Sequence, residues 1–230
     1  MILMNCIGRA AVTLAGVVVM VAALYGPANA QQPQNNIRVE LGGGVQSGDP
    51  EITFAGVSED LDTGIGYAAG AGLWVDMVGF DYLSLGAQYT RLGGGDYKES
   101  GSATVLNTSF TGTIEISHTV DAFMANAALR KNDGTFHPYI GGGAGVAFTS
   151  SEVSLSGTLV VNGVTYAGAG SDDDSDVAFA WQAFGGLDID VTDNVYVGLN
   201  ARYVGTDANL FGADVSLRKF VGMGVVGFRF

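Results

Sequence analysis

The last thirteen residues, Arg218 to Phe230, read RKFVGMGVVGFRF. They alternate: Phe220, Gly222, Gly224, Val226, Phe228 and Phe230 share one face, and Lys219, Val221, Met223, Val225, Gly227 and Arg229 share the other. A period of two is the signature of a β-strand. The first face is uncharged, whereas the second carries Lys219 and Arg229 at its ends. Chain termini usually lie in water, where a bare Phe-x-Phe is out of place. A terminal strand whose aromatic face meets lipid accounts for it.

Seven further alternating segments precede this one: Ile37 to Gln46, Gly64 to Met77, Phe80 to Leu92, Thr119 to Arg130, Pro138 to Phe148, Val177 to Val191 and Val195 to Val204. Val177, Phe179, Trp181, Ala183, Leu187 and Ile189, for example, oppose Gln182, Phe184, Gly186, Asp188 and Asp190. The segments exceed the ~5–6 residues of ordinary soluble strands and suit the ~9–11 tilted residues that cross a bilayer. Their connections alternate between short turns, such as KNDGT (Lys131 to Thr135) and TDN (Thr192 to Asn194), and long loops at 47–63, 93–118, 149–176 and 205–217. The sequence therefore predicts an all-β fold, an eight-stranded antiparallel up-and-down transmembrane β-barrel. An even strand number puts both termini on the short-turn side, which is periplasmic in such barrels, and the long loops outside the cell.

Composition agrees. Glycine, 36 of 230 residues, is roughly double its usual share, and the formal net charge is −13. That acidity leaves nothing to neutralise phosphates, so nucleic acid is excluded as a partner. Residues 1–30 read as a cleaved signal peptide: Arg9, the apolar run AAVTLAGVVVMVAALYG, then the A-x-A site Ala28-Asn29-Ala30. Residues 31–36 read as a periplasmic leader and 37–230 as the barrel. Cys6, the sole cysteine, falls in the signal segment, so the mature chain is expected to have no disulfide.

Lipid leaves no backbone group unpaired, so the strands must close on themselves. Eight strands leave an interior that side chains can fill. Glycines on the inner parity (Gly66, Gly70, Gly72, Gly141, Gly143, Gly145) make room for Trp74, Phe184, Met223 and Met124, while Gly43 and Gly185 read as bends. Inward parity also selects Arg38, Glu40, Gln88, Asn126, Arg130, Gln182, Asp188, Arg202 and Arg229. A hydrogen-bonded network of Glu40, Gln88, Asn126, Gln182 and Arg202 is expected to plug the lumen, with Glu40 and Arg202 as its ionic members. Tyr67, Tyr89, Phe148, Phe179, Tyr203 and Phe220 are expected in one aromatic girdle, with Phe228 and Phe230 in the other.

These residues carry a family resemblance. The terminal Phe-x-Phe, the stretch PYIGGGAG (Pro138 to Gly145), the stretch FAWQAFGGL (Phe179 to Leu187) and Asn200-Ala201-Arg202-Tyr203 resemble the outer membrane β-barrel superfamily of opacity proteins and outer membrane protein A-type domains. The resemblance covers Asn36 to Phe230. It implies a surface antigen, adhesin or envelope-stabilising role, without the peptidoglycan-binding domain that follows the barrel in some relatives. It also implies that Val226, Phe228 and Phe230 form the signal read by the outer-membrane assembly machinery.

Chemistry is sparse. The histidines, His118 and His137, fall at opposite ends of the predicted barrel. Ser117-His118 does not match the His-x-Ser arrangement of lipid A deacylases, which resemble this fold, so no catalysis is expected. No cofactor is implied. The run Asp172-Asp173-Asp174-Ser175-Asp176 offers hard oxygen ligands for a divalent cation, or simply a solvated loop rim. Asn162-Gly163 between β-rich runs predicts a hairpin projecting beyond the membrane. The partners expected are outer-membrane lipid and lipopolysaccharide, the assembly machinery, and a host or cell-surface ligand at the long loops, with the protein a monomer. The alternatives are a small pore or hydrophobic-ligand channel and, more remotely, a lipid A-modifying enzyme.

Overall fold

The computed structural model describes residues 37–48, 51–54, 57–60, 64–77, 82–94, 96–105, 108–210 and 213–230. The signal segment, the leader and the Val78-Gly79 turn lie outside them. Eleven strands follow in order: β1 (Ile37–Ser47), β2 (Glu51–Phe54), β3 (Val57–Asp60), β4 (Gly66–Asp76), β5 (Leu83–Gly94), β6 (Tyr97–Val105), β7 (Thr108–Arg130), β8 (Phe136–Val161), β9 (Val164–Asp190), β10 (Val195–Leu210) and β11 (Ala213–Arg229).

Eight of them form a closed antiparallel ring, β1-β4-β5-β7-β8-β9-β10-β11 and back to β1. The closing ladder runs from Arg38 opposite Arg229 to Ser47 opposite Phe220. This transmembrane β-barrel uses the C-terminal strand as its last stave. Inner and outer parity follow the alternation of the sequence. On β11, Val221, Met223 and Val225 are buried, while Phe220, Val226 and Phe228 are exposed. On β10, Asn200 and Arg202 are buried beside Leu199, which is 73% exposed.

The interior parity works because glycine removes Cβ atoms where neighbours crowd. A Cβ on Gly143 would lie 1.8 Å from Asn126 Oδ1, and one on Gly145 would lie 1.9 Å from the Phe123 carbonyl. Gly43 and Gly185, by contrast, are not bends. Gly43 faces outward in unbroken register with Ala69 and Gly224, as does Gly185 with Ile140 and Ala201. An outward glycine on a pleated strand needs no bulge, because the small side leaves the ladder intact.

The greatest departure from expectation lies in β6 and the start of β7, which the sequence reads as loop, whereas the projecting hairpin at Asn162-Gly163 is the one it predicts. β7, β8 and β9 run on without interruption, and β6 adds to the free side of β7. The β8–β9 ladder continues from Thr149 opposite Asp176 to Val161 opposite Val164. There Asn162 (φ 51°) and Gly163 (φ 82°) make a two-residue turn with both central residues left-handed, the geometry that matches strand twist. β8 has 26 residues, about 85 Å of strand at ~3.3 Å per residue, against a hydrocarbon core of about 30 Å. Much of it must project beyond the membrane. These parts escaped the alternation test because both their faces meet water. Their Thr, Val, Ile and Ser content, as in TSFTGTIEIS (Thr108 to Ser117), carries the β-propensity instead. β2 and β3 form a small hairpin that pairs with the start of β11.

Both Leu199 on the barrel wall and Val105 on β6 are strongly exposed. Only the first meets hydrocarbon in this fold. Leu199→Arg is expected to cost about 2–4 kcal/mol and Val105→Arg almost nothing, measured by urea unfolding in lipid bilayers.

Candidate functional site: barrel interior and projecting sheet

The interior is layered. Nearest the short-turn end, Arg130 donates from Nε and NH2 to Asp188 Oδ2 at 3.3 and 2.9 Å. His137 Nε2 lies 2.8 Å from Asp190 Oδ2, and Arg229 NH2 pairs with Asp190 Oδ1 at 2.7 Å. The guanidiniums of Arg130 and Arg229 both stack on Tyr196, 5.6 and 4.8 Å from its ring centre. Tyr196 itself is fully buried.

The next layer centres on Glu40. Its carboxylate accepts from Tyr196 OH at 2.7 Å, Trp74 Nε1 at 2.9 Å and Arg38 NH1 at 3.4 Å. Arg38 also donates to Asp76 Oδ1 and Ser84 Oγ, each at 3.1 Å. Space for this cluster comes from absent side chains: a Cβ on Gly227 would lie 2.0 Å from the Tyr196 ring, and one on Gly72 would lie 3.1 Å from Trp74 Nε1.

Above it, Arg202 donates to neutral oxygens only: Gln88 Oε1 and Asn200 Oδ1, each at 2.8 Å, with Thr90 Oγ1 and Gln182 Oε1 at 3.4 and 3.5 Å. Gln182 Nε2 in turn reaches Asn126 Oδ1 at 2.8 Å and Gln88 Oε1 at 3.0 Å. Trp74 and Phe184 meet edge to face at 5.8 Å beneath this chain. The cavity left among Arg38, Glu40, Trp74, Gln88, Arg130 and Arg202 is about 10 Å³, at most the room for one water.

The structure thus gathers Gln88, Asn126, Gln182 and Arg202 into one chain and puts Glu40 in a separate cluster. Glu40 and Arg202 are not an ion pair; the ionic partner of Glu40 is Arg38, two residues along its own strand. Parity found both residues but not their depth, and depth decides which charges meet. Tyr196 carries inward parity in the sequence, yet its place as the hub between Glu40, Arg130 and Arg229 follows only from the strand stagger.

Toward the long-hairpin end the lumen turns apolar. Met124, Met223, Val120, Val204, Val221 and the alanines of β7, β8 and β9 form one buried cluster. Lys219 lies above it and donates to the Gly48 carbonyl at 3.0 Å. Gly48 has φ 146°, and a Cβ there would meet the Arg218 carbonyl at 2.1 Å, so this strand exit requires glycine.

Outside, Tyr89, Phe123 and Phe148 stack in sequence at 5.0 and 6.1 Å, and Trp181 meets Tyr203 at 5.7 Å. Tyr67, Phe179 and Phe220 face outward with them. Val226 and Phe228 are exposed on the outer face of β11, and Phe230 is exposed just past its end. At the rim beyond the girdle, Asp207 accepts from Ser216 Oγ at 2.7 Å and Arg218 NH2 at 2.9 Å, and these bonds hold its carboxyl below the ordinary value.

The acidic run is strand, not loop. Alternation sends Asp172, Asp174 and Asp176 to one face and Asp173 to the other. Asp176 Oδ2 accepts from the Asn209 amide at 2.7 Å. Among the described residues no group of three metal-ligating side chains gathers. His118 faces the upper lumen and His137 the short-turn end.

Removing one partner of a buried charged cluster strands the others. Glu40→Ala is expected to cost about 3–5 kcal/mol and Tyr196→Phe about 1.5–3 kcal/mol. The double variant should cost clearly less than the sum, because the two share one hydrogen bond. Denaturant unfolding of the four proteins in bilayers measures this coupling; strict additivity would show that the bond contributes nothing.

No curated protein matches the chain. Among solved structures, Neisserial surface protein A is similar at 14% identity, covering 84% of this chain and 97% of that one, with a TM-score of 0.45. Ail, the attachment invasion locus protein of Yersinia pestis, is similar at 13% identity over 85% and 99% of the two chains, with a TM-score of 0.42. The outer membrane protein OprG of Pseudomonas aeruginosa is similar at 10% identity over 85% and 96%, with a TM-score of 0.46. The sequence matches the outer membrane protein beta-barrel domain over residues 15–225, most of its length. The chain belongs to that family and is an integral protein of the outer membrane of Gram-negative bacteria.

Proposed function

We propose that this protein is a closed barrel with a structural and surface-interaction role, which displays a rigid β-sheet outside the cell and performs no catalysis. The observation that carries this reading is the division of the chain. The lumen holds a hydrogen-bonded polar network with a cavity of about 10 Å³, while β6, β7, β8 and β9 continue past the wall as a four-stranded sheet. A conducting pore would need a wet path through both the polar and the apolar layers. An enzyme of the deacylase type would need His and Ser at the outer rim; here His118 points into the lumen, and both ring nitrogens of His137 are engaged, with Asp190 and the Lys131 carbonyl.

In this reading the long hairpins are extracellular and both termini periplasmic. The protein works as a monomer among outer-membrane lipid and lipopolysaccharide. Val226, Phe228 and Phe230 present the closing strand to the assembly machinery, and a host or cell-surface ligand meets the projecting sheet. A cell expressing the intact protein is expected to attach to host cells, and excision of residues 152–173 from the β8–β9 hairpin should abolish attachment while the barrel still inserts. Equal attachment by both would end the interaction reading. In planar bilayers no ohmic steps are expected; stable single-channel conductance would end the closed-lumen reading.

A further inference from the structure

The projecting sheet has one face that continues the inner parity of the barrel, and none of the described residues covers it. Register aligns Gly101, Gly112, Gly157 and Gly168 in a single row across β6, β7, β8 and β9. On one side of the row stand Phe110, Leu159 and Tyr166; on the other stand Ile114 and Leu155. All five are exposed, from 38% at Leu159 to 58% at Tyr166. The result is a trough running across the strands, with apolar walls and a backbone floor. Its cavity volume is about 840 Å³. Four strands give it a length of about 14 Å, and the flanking rows stand about 13 Å apart. The Phe110 ring leans over the middle, since a Cβ on Gly112 would lie 2.8 Å from its Cζ. Both ends are open among the described residues: none lies within 4 Å of a Cβ added at Gly101 or Gly168.

The charge around the trough has one sign. Glu99 lies two residues from Gly101 on the same face, and Asp172 lies four residues from Gly168. Asp174 and Asp176 follow on the same parity toward the barrel. Among the described residues of the projecting parts of these four strands, no Lys or Arg shares this face; Lys98 points away and pairs with Glu115 on the opposite side.

We infer that this trough is a binding site for a small amphipathic organic cation, its apolar body lying on the glycine floor between Phe110 and Leu155 and its positive group directed at Glu99 or Asp172. The volume falls in the range of small-molecule sites, about 300–1,000 Å³. The faces of Phe110 and Tyr166 add a second attraction for a cation. The same carboxylates oppose the phosphates of lipopolysaccharide, and a second copy stacked on this face would bring like charges together. This inference rests on the projecting sheet being the interaction element, and it names the chemistry that the sheet selects.

The test uses the full-length barrel in lipid nanodiscs, with empty nanodiscs as the reference. The probes are 1-naphthylmethylammonium, 1-naphthylmethanol and 1-naphthylacetate, followed by fluorescence titration. Saturable binding is expected in the order cation, alcohol, anion. Gly101→Val with Gly168→Val puts side chains into the open ends, where an added Cβ meets none of the described residues, and should weaken cation binding about tenfold. Glu99→Gln with Asp172→Asn should remove the preference for the cation over the alcohol. Anion binding as tight as the cation, or cation binding unchanged by the valine pair, would overturn the proposal. So would self-association of the nanodisc-borne protein that the valine pair abolishes, which would assign the trough to a second copy. Host-cell attachment of the valine variant separates the two readings: attachment retained with probe binding lost leaves the ligand site standing apart from adhesion.

Discussion

Backbone hydrogen bonding in lipid is the constraint on which the rest depends. A strand edge facing hydrocarbon leaves a row of unpaired N–H and C=O groups, each costing several kcal/mol. The chain removes its two edges by pairing its first strand with its last, Arg38 to Ser47 against Arg229 to Phe220. Closure then fixes what every other residue can do. Outward positions must be apolar, and inward positions must fill a cylinder too wide to be filled by small side chains alone.

The interior meets that requirement in two ways. At the short-turn end it uses charge: Arg38, Arg130 and Arg229 face Glu40, Asp76, Asp188 and Asp190, with Tyr196 and Trp74 donating to Glu40 beside its ion pair. Arg202 is held by amide and hydroxyl oxygens instead. Desolvating these groups is expensive unless each is well paired, and the short, convergent hydrogen bonds to Glu40 show how that is achieved. At the other end methionine, valine and alanine make up the larger part of the lumen, with His118, Thr149, Thr206 and Lys219 buried beside them. The glycines link both halves, since the bulky inner residues sit where a neighbouring strand has no Cβ.

The projecting sheet obeys different rules. Beyond the membrane neither face meets hydrocarbon, so the barrel's strict alternation relaxes and both faces carry mixed residues. What keeps β7, β8 and β9 in register there is continuity with the barrel ladders and the tight turn at Asn162-Gly163. A sheet extended in this way is stiffer than a loop of equal length, and its inner-parity face remains open. The row of glycines across four strands produces a concavity that separate loops could not.

Much of this was legible in the sequence. The alternation of RKFVGMGVVGFRF and its seven counterparts identified the staves, their facing and the closed ring, because one side of each strand meets lipid and the other does not. Parity also placed Glu40, Gln88, Asn126, Gln182 and Arg202 inside, and the Asn-Gly pair located the hairpin tip. What parity cannot supply is height along the barrel axis. The partner of Glu40, the hub position of Tyr196 and the hydrogen bonding of Arg202 to amide and hydroxyl oxygens follow from strand stagger, which is a property of the closed sheet. The Asn-Gly turn announced the projection of β8 and β9, but β6 and the start of β7 were hidden for a related reason: with water on both faces no periodic hydropathy marks a strand, and the pairing itself decides. The sequence by itself determined which residues face lipid and which face the lumen, through the period of two; only the tertiary structure decided which inward groups meet and how far the sheet extends, because both depend on register between strands distant in the chain.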